Sequence, residues 1–269
     1  MGKTKIANTK SPLKSTYTRQ PGQSLDEQIA TLKFKQLQWI LIPALFYMVV
    51  ITELINYFWK MPRQQIQILS VILGIVLIFS YIMIKRLQKD RTKLEQGRDG
   101  EREVAEYLDN LTRKGCYVFH DIVTPEKFNI DHIIVSKYGV FALETKTYSK
   151  PNKGEAVINF DGQSVSFTGK YPNSRFTQPI QQALNNAKWL RNKISRPADG
   201  KFIAVNAIVV FLGWFVPKDQ IKNGKDVWVL NPNWLESTIT QLPQTLTDDE
   251  VQIIANIIRP LTQVTRDSE

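Results

Sequence analysis

Two apolar segments, residues 37–59 and 66–84, lie only six residues apart near the N-terminal end and limit what this chain can fold into. The second holds 19 residues without a charge. At about 1.5 Å per residue a helix of that length crosses nearly 30 Å, the thickness of a bilayer core. The first is interrupted by Glu53 and Asn56. Against that, Trp39 and Trp59 stand about 30 Å apart on a helix, spaced like the two rims of an aromatic belt. A carboxylate at the centre of a span costs about 2.5–3.5 kcal/mol, and less toward an end, so Glu53 is expected near the outer interface. The link Lys60-Met61-Pro62-Arg63-Gln64-Gln65 suits only antiparallel neighbours. The expectation is a two-helix transmembrane hairpin and a partner in the lipid bilayer.

The net charge of +10 invites a nucleic-acid reading until it is mapped along the chain. Residues 1–93 carry 14 Lys and Arg against four acids, whereas bases and acids cancel over 94–269. The whole excess belongs to the membrane-proximal part, so global basicity is no argument for nucleic acid. Lys33 and Lys35 precede the hairpin, and Lys85, Arg86, Lys89, Arg91 and Lys93 follow it, while the link has only Lys60 and Arg63. The positive-inside bias predicts a multi-pass protein with the N-terminus and the C-terminal domain in the cytoplasm. Residues 1–36 read as a flexible basic cytosolic tail, 85–94 as a basic connector and 95–269 as one folded domain. The apolar core lies too far from Met1 for a secretory signal. A single cysteine, Cys116, excludes an internal disulfide framework and reads as a small buried residue.

Past the connector, hydrophobic spacing predicts alternating elements. Residues 98–114 form a helix with Val104, Ala105, Leu108 and Leu111 as its apolar stripe and Gly115 as its stop. Strands follow at 117–123, 129–135 and 139–147, the last two as a hairpin about Ser136-Lys137-Tyr138-Gly139. Short strands are expected at 155–160 and 163–168, then a helix from Pro179 to about Ile194. Strands at 202–211 and 227–230 and a helix at 232–242 precede a last helix, opened by the capping box Thr247-Asp248-Asp249-Glu250. This order is an α/β sandwich.

Chemistry concentrates in Asn129-Ile130-Asp131-His132-Ile133 and in Leu143-Glu144-Thr145-Lys146. Asp131 shares a strand face with Ile133 and Val135; Glu144 and Lys146 share one with Val140 and Ala142. Charges on apolar faces are costly unless paired or bound to metal. Two carboxylates, Asp131 and Glu144, suit a hard divalent cation, and a neighbouring Lys146 suits an attacking water or developing phosphoryl charge. Glu101 lies on the buried stripe of its helix, and Gln182 at the edge of the apolar face of the helix after Pro179. His120 and His132 are expected to be satisfied core or surface histidines, with His132 facing away from Asp131. From 137 to 201, 11 bases face four acids, with Tyr148, Tyr171, Phe176 and Trp189 interspersed, a composition that suits tracking along phosphates.

The segments Gly97-Arg98-Asp99-Gly100-Glu101, His120-Asp121, Asn129-Ile130-Asp131-His132-Ile133, Gly139-Val140-Phe141 running into Glu144-Thr145-Lys146, and Gln178-Pro179-Ile180-Gln181-Gln182 together resemble the nuclease-related domain (NERD) family over roughly residues 95–212. Gln178 stands where that family typically has Asn. The resemblance implies the PD-(D/E)xK nuclease superfamily, a restriction-endonuclease-like sandwich with a central mixed sheet flanked by helices, and a divalent metal, magnesium or manganese. Carried over by position, the catalytic set is Glu101, Asp131, Glu144, Lys146 and Gln182, with Asp131 and Glu144 on the metal. The expectation is a membrane-anchored nuclease acting on nucleic acid, DNA ahead of RNA. The alternative is an inactive nucleic-acid-binding or scaffold module tethered to the membrane.

Overall fold

The computed structural model describes residues 16–57, 63–126, 128–151, 154–169, 171–195, 203–222, 224 and 226–265. Residues 1–15 of the expected tail, and Trp59 with part of the link, lie outside the described residues. The chain forms two compact units, Ser24–Asp99 and a second made of Gly100 onward together with the segment up to Gln23.

The first unit holds helix α1 (Gln23–Tyr57) from Ser24 on and α2 (Arg63–Arg113) as far as Asp99, with Trp39 packed edge-on to Phe79 at 5.3 Å between ring centres. Both are long and apolar enough to cross a membrane. Leu45, Met48, Val71, Ile75 and Ile78 are exposed, so the apolar stretches do not serve as a protein core. Where the sequence suggested a span, a connector and a separate helix, α2 is one helix of 51 residues. The intervening Lys, Arg, Leu, Gln and Glu are good helix formers, and Arg91 pairs with Glu95 one turn on at 3.3 Å. The expected tail differs too. Residues 16–18 form strand β1 (Thr16–Thr18), and helix α1 starts at Gln23 rather than at 37.

The second unit is built on a five-stranded mixed sheet. Strands β2 (Tyr117–Val123), β3 (Asn129–Ser136) and β4 (Gly139–Lys146) run as an antiparallel meander. Beyond β4, β8 (Val205–Phe211) and β9 (Val227–Leu230) add in parallel, giving the order β2-β3-β4-β8-β9. A crossover connection is needed between the parallel β4 and β8. It contains helix α3 (Gln178–Ile194), which packs against both strands. It also holds a small antiparallel sheet of β5 (Ile158–Phe160), β6 (Val165–Phe167) and β7 (Tyr171–Phe176), the last not legible in its polar sequence. The expected helix at 232–242 is a 3-10 turn, Pro232–Trp234, followed by the short α4 (Leu235–Thr240). Helix α5 (Asp248–Ile258) opens with the expected box, Thr247 and Glu250 each bonding the other's backbone N–H. Strand β10 (Gln263–Thr265) pairs with β1, bringing the segment before α1 into this unit.

Central strands carry apolar residues on both faces: Ile133, Ile134, Phe141, Leu143, Ile208 and Val209 are fully buried. Within that core, Asp121, Asp131, His132 and Glu144 are buried as well. Burying charge is costly unless it is paired or bound to metal, so the three carboxylates point to a site.

Candidate active site

Register sets the site. Pairing of His120 with His132, and of His132 with Leu143, carries Asp121, Asp131 and Glu144 level with one another on three adjacent strands. Residues level across a sheet share a face, and neighbouring strands lie about 4.8 Å apart. Three acids thus form a rank across β2, β3 and β4. Lys146 stands two residues beyond Glu144 on the same face. From α2, Glu101 feels the negative charge of both Asp121 and Glu144. It comes close because Gly100 has no side chain: a Cβ there would collide with Thr147 Cγ2.

Hydrogen bonds hold each group. Thr145 N–H donates to Asp131 Oδ2 at 2.7 Å. Lys146 Nζ donates to Glu144 Oε1 at 2.7 Å and to Gln182 Oε1 at 3.0 Å. Asn186 Nδ2 donates to the other Glu144 oxygen at 3.0 Å. Gln182 and Asn186 are four apart on α3, one turn above the other, so a single helix face serves both ends of the Glu144–Lys146 pair. Asp121 adopts a left-handed φ of 50°, the sole such non-glycine among the described residues, without slipping the register of β2 on β3. Its Oδ2 accepts from Arg19 Nε at 2.7 Å.

Residues 96–212 match the family model for the nuclease-related domain, NERD. They are a nuclease-related domain. An uncharacterized protein of Bacillus anthracis is 27% identical over 207 residues, covering 74% of this chain and 92% of the relative. No solved structure matches the chain significantly. The nuclease-related domain takes in the whole rank, Glu101 and the α3 amides; Arg19 lies outside it.

Electrostatics within the domain are those of a site short of positive charge. Burial, then Asp121 and Glu144, push Glu101 up to about 8. Burial, then Glu144 and Glu101, hold Asp131 well above the ordinary carboxylate range. Burial also raises Glu144, against the pull of Lys146 and Asn186. For Lys146, burial works to lower the value, but Glu144 and Asp131 outweigh it and the ammonium is favoured. Glu101 Oε2 is buried without a hydrogen-bond partner. Carboxylates that raise one another and leave an oxygen unmatched fit a divalent cation. Among the described residues no group of three His, Cys, Asp or Glu encloses a metal by itself.

All five sequence-derived residues, Glu101, Asp131, Glu144, Lys146 and Gln182, lie in this one region. Sequence reasoning missed Asn186, although its spacing from Gln182 was a readable signal. It also missed Arg19, 102 positions from Asp121, for which no local signal exists. The two histidines form a separate pair, Nδ1 to Nδ1 at 2.8 Å, with burial holding both below the usual histidine value.

Proposed function

We propose that this chain is a membrane-anchored, divalent-metal-dependent nuclease that hydrolyses phosphodiester bonds, with DNA ahead of RNA as substrate. The observation carrying this reading is the convergence of Asp131, Glu144, Lys146 and Gln182 on one face in a nuclease-related domain. Asp131 and Glu144 would hold magnesium, or manganese in its place, and the metal supplies Lewis-acid activation of water and charge for the phosphoryl oxygens. The protein's own part is positioning. Gln182 and Glu144 aim the Lys146 ammonium, which keeps its proton and so offers fixed positive charge where charge develops on phosphate. Asn186 holds Glu144 from its other oxygen. The excess of bases from 137 to 201 supports a nucleic-acid track.

Anchoring rests on two helices long and apolar enough to span, with outward-facing apolar side chains. The segments before and after the helix pair belong to one unit, which supports both ends of a hairpin lying on the same side of a bilayer. The basic flanks favour the cytoplasmic side.

The test uses the full chain in detergent. Magnesium-dependent cleavage of DNA is expected, lost in Asp131→Ala and in Lys146→Ala. A folded preparation inert on single- and double-stranded DNA and RNA, with magnesium and with manganese, rejects the nuclease. Salt-dependent binding that survives Asp131→Ala without cleavage would identify the tethered binding module instead.

A further inference from the structure

The segment ahead of the first helix reaches the acidic rank. Strand β1 pairs with β10, and Arg19 N–H donates to the Thr262 carbonyl at 2.8 Å, which fixes the backbone at Arg19. The side chain then buries itself, 8% exposed, with Nε 2.7 Å from the carboxylate of Asp121, itself 1% exposed. Three residues on, the Gly22 N–H donates to Glu101. Asn129 Nδ2 lies 3.4 Å from the second Asp121 oxygen, so this end of the rank is closed by protein donors.

Among the described residues, four acids thus meet two cations, Lys146 and Arg19. Lys146 serves Glu144 at one end of the rank, and Arg19 serves Asp121 at the other. Guanidinium suits the position at Asp121, because it stays charged and presents donors in a rigid fork that matches a carboxylate. We propose that Arg19 is a positioning residue of the site, standing as a fixed cation at Asp121 where a second metal ion would otherwise be drawn, so that one divalent ion is taken, at Asp131 and Glu144. Half of the charge balance thereby comes from sequence outside the nuclease-related domain. This inference rests on the metal-dependent reading above.

The test counts manganese bound to the full chain in detergent by titration calorimetry, with electron paramagnetic resonance to detect coupled ions. Wild type and Arg19→Lys are expected to bind one ion per chain. Arg19→Gln is expected to bind two, with a spin-coupled signal, as Asp121 and the unmatched oxygen of Glu101 recruit a cation. Arg19→Gln combined with Asp121→Asn removes both charges and is expected to return to one. A folded Arg19→Gln protein that binds a single ion overturns the inference and leaves the metal site standing. If Arg19→Gln folds poorly without metal, its Tm should climb more steeply with manganese than that of wild type; an equal or flatter response overturns the inference. A folded wild type that binds no manganese rejects the metal-dependent reading itself, and this inference with it.

Discussion

At the scale of single residues, the site is a balance of buried charges held by short-range sterics. Gly100 shows the steric side. Gly100→Ala would add the best helix former, a gain of about 1 kcal/mol, yet its Cβ would collide with Thr147 Cγ2 and lie 3.1 Å from Leu212 Cδ1. Overpacking costs about 1–3 kcal/mol, so a net loss is expected, and Thr147→Ser in the same chain should recover most of it. Thermal melts of the single and double variants check this. Glu101 shows the charge side. Its folded-state value of about 8 exceeds the usual 4.5, so between these values the folded state holds a proton that the unfolded chain has lost. That contribution to stability is present at acid pH and is lost as pH rises through about 8. In EDTA, the Tm of wild type should therefore fall relative to Glu101→Gln as pH rises from about 5 to 8. Equal pH slopes for the two proteins would contradict the assignment. The buried histidines have the opposite sign: their depressed values contribute stability that is present above about 6.5 and is lost as pH falls below it.

Secondary-structure elements were legible where local chemistry decides them. The β3–β4 hairpin follows from period-two alternation about Ser136-Lys137-Tyr138-Gly139, and that alternation alone puts Asp131 and Glu144 on apolar faces. The start of α5 follows from Thr247 and Glu250 satisfying each other's orphan N–H groups. Thr247→Ala should cost about 1 kcal/mol, read as a fall in Tm of roughly 2–4 °C for a domain of this size. β7 was not legible, because Tyr171-Pro172-Asn173-Ser174-Arg175-Phe176 lacks alternation and pairs only because β6 lies beside it. The continuity of α2 was missed for a different reason. Its middle turns hold only Leu87 and Leu94 as apolar residues between 85 and 96, a pattern that reads as connector, although their helix propensity is high and no proline interrupts them.

For the whole molecule, α1 and α2 are long and apolar enough to cross a membrane and carry exposed apolar side chains. Ile75 is 62% exposed in the stretch without charges. If that surface meets water, Ile75→Lys is neutral; if it meets lipid, a lysine at the centre of a span costs about 2.5–3.5 kcal/mol. Fractionation of wild type and Ile75→Lys with Ile78→Lys should show the pair of lysines shifting protein out of the carbonate-resistant membrane fraction. Removing residues 1–22 should destabilise the second unit, because it deletes β1 and leaves Asp121 buried without Arg19. Breaking a buried ion pair by losing one partner costs about 3–5 kcal/mol, so a fragment starting near residue 94 is a poor stand-in for the protein.

What sequence alone determined here are properties of short windows: the two apolar helices and their basic flanks, the hairpin that carries Asp131, Glu144 and Lys146, the helix stripe that buries Glu101, and the motifs of a nuclease-related domain. Each depends on spacings of a few residues, where helix and strand periodicities act. What only the tertiary structure decided are contacts without a local period. They are the level rank of Asp121, Asp131 and Glu144 across three strands, the pairing of β1 with β10, and Arg19 at the end of the rank. Register is set by packing across the sheet, and an ion pair between residues 102 positions apart is set by the chain closing back on itself. No neighbouring residue at either end announces such a contact.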